Sequence, residues 1–200
     1  LYGVEYLHND VFSVATENTQ PRYPSGGSMM NTFAFYGSFE KKIKKNIFFN
    51  VGSRFSSSRV DLSFDQRDPV FVVQNIKKTN KSLTGNASFL FVPNKTNKFS
   101  FVASRGFRSP NVDDFGKVFI KRDNIVLPNP ELEPEYVYSF EFNLNKKIKD
   151  FLFKASVYNN KLQNLITKQN IDSTIIYDND TLNAQRLENS PKSYIRGFSF

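Results

Sequence analysis

Cations and aromatic rings fall together in the stretches between the regular segments of this chain: Arg22 and Tyr23, Arg67 and Phe71, Phe115, Lys117 and Arg122, and Tyr177. Guanidinium and ammonium groups offer charge-assisted bonds to an anion, and the rings offer stacking surface. The set suits an anionic chelate or a sugar-rich ligand held by loops. It suits equally well loops packed on one another, or lipopolysaccharide phosphates at a membrane rim. His8 is the single histidine and reads as a rim residue rather than a metal ligand. Asp61, Asp65 and Asp68, and Asp178-Asn179-Asp180, are oxygen-rich but lack the register of a calcium loop, so they read as solvated acids. No metal site or cofactor is expected. No GxSxG, HExxH, Walker or CxxC pattern occurs, so no enzyme is expected. The absence of cysteine removes disulfides and thiol chemistry from this stretch.

The elements that would position such loops carry the clearer signal. In residues 32–40, Phe33, Phe35, Gly37 and Phe39 share one face, and Ala34, Tyr36, Ser38 and Glu40 the other. Residues 47–56 repeat the alternation, and Phe89, Phe91, Phe99, Phe101, Phe140, Phe142, Phe151 and Phe153 continue it. A period of two is a strand. The chain has 22 Phe but only 39% hydrophobic residues, because the rings sit singly at every second position. One greasy and one wet face, without any run of about 20 apolar residues, fits a transmembrane β-barrel wall and not a spanning helix.

Eight strands are predicted over residues 2–13, 31–42, 46–57, 82–92, 98–106, 135–145, 151–162 and 192–200. The connections alternate in length. Residues 43–45, 93–97 and 146–150 are tight turns, whereas 14–30, 58–81, 107–134 and 163–191 are long. In an up-and-down meander this parity gathers all long loops at one rim, as in bacterial outer-membrane barrels with long extracellular loops. The net charge of +8 is concentrated at the short turns, in Lys41, Lys42, Lys44, Lys45, Lys95, Lys98, Lys146, Lys147 and Lys149. That placement argues for solvated turns or headgroup contact and against nucleic acid. The fold class expected is all-β: an antiparallel up-and-down transmembrane barrel, with about eight strands of a larger one. The chain opens on Leu1 in mid-strand and closes on Phe200, so it reads as a piece of a longer, processed protein; Phe200 fits an internal strand as well as an aromatic C-terminus.

Two elements identify a family. The first is Ser104-Arg105-Gly106-Phe107-Arg108-Ser109-Pro110-Asn111-Val112-Asp113-Asp114-Phe115, and the second is Pro128-Asn129-Pro130-Glu131-Leu132-Glu133-Pro134-Glu135. Pro110 and Pro134 lack an amide donor and should stop strand pairing at the loop bases, and Asn129-Pro130 favours a turn. Glu133 and Glu135 could pair with Arg105 or Arg108 as the loop closes. Two readings stay open: the motif frames a loop, or Arg108 touches a ligand directly. With residues 155–166 and the segments Glu188-Asn189-Ser190 and Arg196-Gly197-Phe198, these elements resemble the TonB-dependent receptors, in which a GFRxP element ends one strand and an NPxLxPE element opens the next. The match is specific over residues 99–200 and looser before.

The resemblance implies a barrel of twenty-two strands around an N-terminal plug. It also implies uptake of a scarce solute (ferric siderophore, haem, cobalamin or oligosaccharide) across the bacterial outer membrane, powered by the TonB–ExbB–ExbD complex acting on the plug. It implies contact with outer-membrane lipid and lipopolysaccharide and, in glycan-uptake members, a surface lipoprotein partner. Residues 1–200 would then be part of the barrel domain, without plug or remaining strands. The absence of His from residues 111–127 counts against axial haem ligation from that loop. A passive porin-like channel is the alternative, and a soluble carbohydrate-binding sandwich a more distant one.

Overall fold

A computed structural model describes residues 1–14, 22–64, 75–177 and 179–200. Its strands are β1 (Tyr2–Val11), β2 (Ser28–Lys44), β3 (Ile47–Leu62), β4 (Ile76–Phe91), β5 (Asn97–Arg108), β6 (Phe119–Lys121), β7 (Asn124–Leu127), β8 (Glu135–Ile148), β9 (Phe151–Tyr177) and β10 (Asp180–Ser199); one short helix, α1 (Val112–Gly116), lies between β5 and β6. They form one sheet in the order β1-β2-β3-β4-β5-β8-β9-β10-β7-β6. All neighbours are antiparallel except β7 on β10, which run parallel. The eight long strands are the predicted meander. The short β6–β7 hairpin, unforeseen in the sequence, is added at its far edge.

Register fixes the two faces. Phe35 lies opposite Phe55, which lies opposite Leu83; further along, Phe89, Phe101, Phe142, Val157 and Phe198 form one continuous row across β4, β5, β8, β9 and β10. Phe33, Phe35, Phe39, Phe89, Phe101, Phe140, Phe142 and Phe198 on this face are 41–73% exposed. A water-soluble monomer rarely leaves so continuous an apolar surface open. The opposite face carries Glu5, Tyr36, Asn50, Arg54, Asn86, Glu141 and Asn143. There Arg54 donates to Glu5 at 2.5 Å and its guanidinium lies 5.8 Å from the Tyr36 ring centroid.

The three tight turns stand where expected. Asn94 anchors one of them, its Oδ1 accepting from the amides of Thr96 at 3.0 Å and Asn97 at 2.9 Å. Lys149 takes a left-handed φ of 53° at the β8–β9 turn.

The long connections are shorter than the sequence suggested, because the strands run past the apolar band. The largest correction concerns residues 163–191, read as a loop: β9 is 27 residues long and β10 is 20, and together they form a continuous hairpin. At about 3.3 Å per residue β9 extends roughly 90 Å, where a tilted span needs about 9–11 residues. Beyond the membrane no greasy face is required, so the alternation fades and the sequence reads as loop. The hairpin is irregular at Asn164 (φ 56°), opposite the Pro191 region, and at the register shift between Asn183 and Gln185.

Close strand approach sets one measurable expectation. A Cβ on Gly85 would lie 2.5 Å from the Gly52 carbonyl oxygen, whereas on Gly37, two strands away in the same row, the nearest atom would be 3.8 Å distant. Gly85→Ala therefore forces β3 and β4 apart and should cost about 1–3 kcal/mol, while Gly37→Ala stays near neutral. Urea unfolding of the full-length protein in bilayers measures both; equal midpoints would refute the close approach.

Candidate functional site

The chain between β5 and β8 does not stand up as a free loop. It folds back over the polar face of the sheet, the one that bears Arg54 and Ser58. Asn111 caps α1: its Oδ1 accepts from the Asp114 amide at 3.0 Å, and an Asp114 carboxylate oxygen accepts from the Asn111 amide at 3.0 Å. This reciprocal box satisfies two amides that a helix start leaves free. The helix delivers Val112 and Phe115 onto Val60, Leu62 and Ile76 at the loop ends of β3 and β4, and Leu132 enters the same cluster from the far side of the loop. Phe115, Leu62, Leu132 and Val60 are fully buried. Val60 and Leu62 share their face with Arg54 and Ser58, so the packing lies on the polar side. Polar ties hold the edges: Asn80 Nδ2 donates to Ser109 Oγ at 3.1 Å, and Lys78 Nζ to the Pro130 carbonyl at 3.2 Å.

A second cluster completes the span. The β6–β7 hairpin sets Ile125 against Leu182 and Ala184 of β10, with Ile120, Ile171, Ile175 and Tyr177 around them. One segment thus bridges from β3 and β4 to the β9–β10 arm. We call residues 109–134 the lid.

The motif residues hold the lid in place. Arg108 donates from Nε to Glu135 at 2.5 Å and from Nη1 to Asp114 at 2.7 Å, joining the last residue of β5, the first of β8 and the helix. These two acceptors raise the Arg108 pKa above its ordinary value, Glu135 contributing most, against burial. Burial works to raise the Glu135 carboxyl. Arg108 and the Ile166 amide, at 2.6 Å, outweigh it and hold that carboxyl below the usual glutamate range. Asn129, buried, donates to the Leu187 carbonyl at 2.7 Å and accepts from the Glu131 amide at 2.9 Å. Phe107 meets Tyr136 in a tilted ring contact, with centroids 5.6 Å apart and planes at 44°. Pro110 is fully buried beside the helix start. Pro130 turns the chain, and Pro134 leads it into β8 without pairing.

Of the two pairings foreseen for the glutamates, Glu135 with Arg108 forms. Glu133 instead accepts from Asn164 Nδ2 at 3.1 Å, and its amide and carbonyl are both bonded by Asn189. Asn189 also donates to the Asn164 carbonyl at 2.7 Å. No pattern in the sequence marks this asparagine junction beyond the resemblance carried by Glu188-Asn189-Ser190.

The remaining sequence candidates scatter. Arg22 pairs with Asp113 at 3.1 Å and lies over the Tyr23 and Phe119 rings. Burial works to raise the Asp113 carboxyl, and Arg22 and Lys117 outweigh it and hold it low. Tyr23 lines a cavity of about 480 Å³ with Val11, Met30, Ser109, Val112 and Asp113, at the margin of the lid. Arg22, Tyr23 and Asp113 are thus brought together. Phe115 is spent on packing, and its ring could meet a solute only if the lid unpacked. Arg122 is exposed at the β6–β7 turn with φ 54°, and Tyr177 packs at the tip of the arm. Arg67, Phe71, Asp65, Asp68 and Asp178 lie outside the described residues. Asp61 sits 3.5 Å from Lys77, and His8 bonds Asn31 and Asp10 near the loop end of β1.

Comparison with known proteins fits this geometry. A family model described as TonB dependent receptor-like, beta-barrel matches residues 1–200. No curated protein matches the sequence. Among solved structures, the Serratia marcescens hemophore receptor HasR, in complex with its hemophore HasA and heme, aligns with TM-score 0.79 at 12% identity, over 98% of this chain and 35% of that one. The copper transporter OprC aligns with TM-score 0.69 at 12% identity, over 98% and 31%. The FrpB iron transporter from Neisseria meningitidis aligns with TM-score 0.63 at 12% identity, over 98% and 29%. At these identities the likeness is one of fold, and the chain spans about a third of the length of each.

Proposed function

Because the chain belongs to the family of TonB-dependent receptor-like β-barrels, we propose that it is a length of wall from an outer-membrane active transporter, with its long connections outside the cell. The greasy face meets lipid and the face bearing Glu5, Tyr36 and Arg54 lines the lumen. Strands and a plug beyond residues 1–200 complete the barrel, and the TonB–ExbB–ExbD complex acts through that plug.

The observation that carries this reading is the inward fold of residues 109–134. A wall whose loop packs Phe115 and Leu132 onto the lumen side has its mouth partly covered, which suits a gated importer better than an open pore. The solute belongs to the class of metal-bearing compounds for which the structural relatives are named: heme, copper and iron. Arg22 and Tyr23 at the lid margin supply a cation and a ring for an anionic chelate.

Accumulation of radiolabelled ferric chelates and of haem by cells carrying the full-length protein tests the proposal. Uptake that stops on collapse of the proton gradient is expected. Passive, gradient-independent flux of small solutes through the purified protein would make it a porin-like channel instead.

A further inference from the structure

Asp113 sits where two cations converge on one carboxylate. Arg22 donates to its Oδ1 from Nε at 3.3 Å and from Nη2 at 3.1 Å, and Lys117 Nζ donates to its Oδ2 at 3.3 Å. Two rings face the same cations. The Arg22 guanidinium lies 5.6 Å from the Tyr23 centroid and 5.9 Å from that of Phe119, and Lys117 Nζ lies 5.5 Å from the Phe119 centroid. The neighbouring acid of α1 has a different task. Asp114 is spent on Arg108 and on the Asn111 amide, so the helix keeps its cap whatever becomes of Asp113.

Asp113 also lines the cavity of about 480 Å³, whose apolar wall is Val11, Tyr23, Met30 and Val112. An apolar hollow thus opens directly beside a doubly paired carboxylate. The pairing is exchangeable, because the Arg22 side chain is 51% exposed and ion pairs so open to water hold little. The backbone beneath Arg22 is fixed independently, the Val118 amide donating to the Arg22 carbonyl at 3.2 Å. Arg22 therefore stays in place when its partner changes.

We infer that Asp113 is an internal competitor for a ligand: an aromatic carboxylate seats its ring body in this cavity, and its carboxylate takes the place of Asp113 on Arg22 and Lys117. Exchange of one carboxylate for another is close to neutral in charge and hydrogen bonding. Selection therefore falls on the apolar body that the cavity removes from water. The displaced Asp113 gives up the side-chain tie between α1 and Arg22, which couples occupancy of the cavity to loosening of the lid. The coupling rests on the importer reading, in which the lid leaves the lumen face before solute passes.

The test uses the full-length protein in nanodiscs, with naphthoate as the probe and naphthylmethanol as its uncharged counterpart. Asp113→Asn removes the competing charge at nearly constant shape and should bind naphthoate roughly tenfold more tightly than the unaltered protein. Arg22→Gln should bind it at least about tenfold more weakly, and Lys117→Gln should act in the same direction. The alcohol should bind all of these receptors weakly and alike. In the unaltered protein, saturating naphthoate should speed hydrogen exchange across residues 112–118 and leave β3 and β4 protected. Unchanged affinity in Asp113→Asn, equal binding of alcohol and acid, or exchange unmoved by bound naphthoate would each overturn the inference. Heat-modifiable migration verifies that each variant is folded, and energised uptake of a ferric chelate is measured alongside. A protein that accumulates the chelate yet fails the naphthoate tests sinks this inference alone. One that passes them without gradient-dependent uptake upholds the exchange at Arg22 and sinks the importer reading.

Discussion

Phe115→Ala should release the lid while leaving the wall folded. Its ring is fully buried among Val60, Leu62, Ile76 and Leu132, and truncating a buried Phe costs about 3–5 kcal/mol. A five-residue helix has little stability of its own, so almost all of that loss falls on the lid. Hydrogen exchange of the full-length receptor should show lost protection across residues 109–134 and unchanged protection in β3, β4 and β8. The heat-modifiable shift of the folded barrel should persist. Equal protection in the variant would mean that the lid is held by something other than this cluster.

Arg108→Ala should act on the same element through charge. It strips Asp114 and Glu135 of their shared cation at the junction of β5, α1 and β8. Both carboxylates are mostly shielded, at 12% and 16% side-chain exposure, so a loss of about 1–3 kcal/mol is expected for the stranded acceptors. The pH dependence has a definite sign. Glu135 and Asp113 are both held below their ordinary values of 4.5 and 3.8. Each therefore contributes stability that is fully present above the ordinary carboxylate range and is lost as pH falls through the lowered values. Lid protection in the unaltered receptor should be flat from neutrality to about pH 5 and fall below about pH 4. In Arg108→Ala the Glu135 share of that acid transition should shrink to what the Ile166 amide alone sustains against burial. A lid whose protection is insensitive to acid would contradict the ion-pair account.

What the sequence made legible follows from where the membrane imposes a pattern. Inside the apolar band each strand must be greasy on one face, so Phe33, Phe55, Phe101 and Phe142 announce their strands and even their register. Above it that demand lapses. Thr174, Asn183 and Gln185 pair as strand residues without any alternation to reveal them, so the sequence of the β9–β10 arm reads as loop. The lid failed to register for a different reason. Its helix is too short for a 3.6-residue period, and only the cap signal Asn111…Asp114 behind Pro110 could have marked it. Likewise Phe119-Ile120-Lys121 and Asn124-Ile125-Val126-Leu127, split by Arg122-Asp123, carry a hairpin pattern hidden inside a segment read as one loop.

The candidate site was legible in its motif and less so in its loops. Proline and asparagine chemistry located the loop bases correctly. The Arg108 guanidinium holds two carboxylates at the loop base. In the sequence Phe115 and Tyr177 read as candidate ligand rings because an isolated aromatic between strands has no visible partner. Their partners, Leu62 and Ile125 among them, are distant in sequence and meet only through the fold. Arg22 met Asp113 by the same long-range route.

Residues 1–200 supply no cysteine, and Asn80 and Ser109 touch across the lid-to-wall seam at 3.1 Å. Full-length receptor carrying Asn80→Cys and Ser109→Cys, compared oxidised and reduced for energised uptake of a ferric chelate that the unaltered receptor accumulates, asks directly whether the lid must leave the lumen face. Uptake abolished by oxidation and restored by reductant, with each single substitution transporting normally, is the result expected. Undiminished uptake by the cross-linked receptor would mean that solute passes without the lid moving, and that the inward fold of residues 109–134 is wall packing rather than a gate.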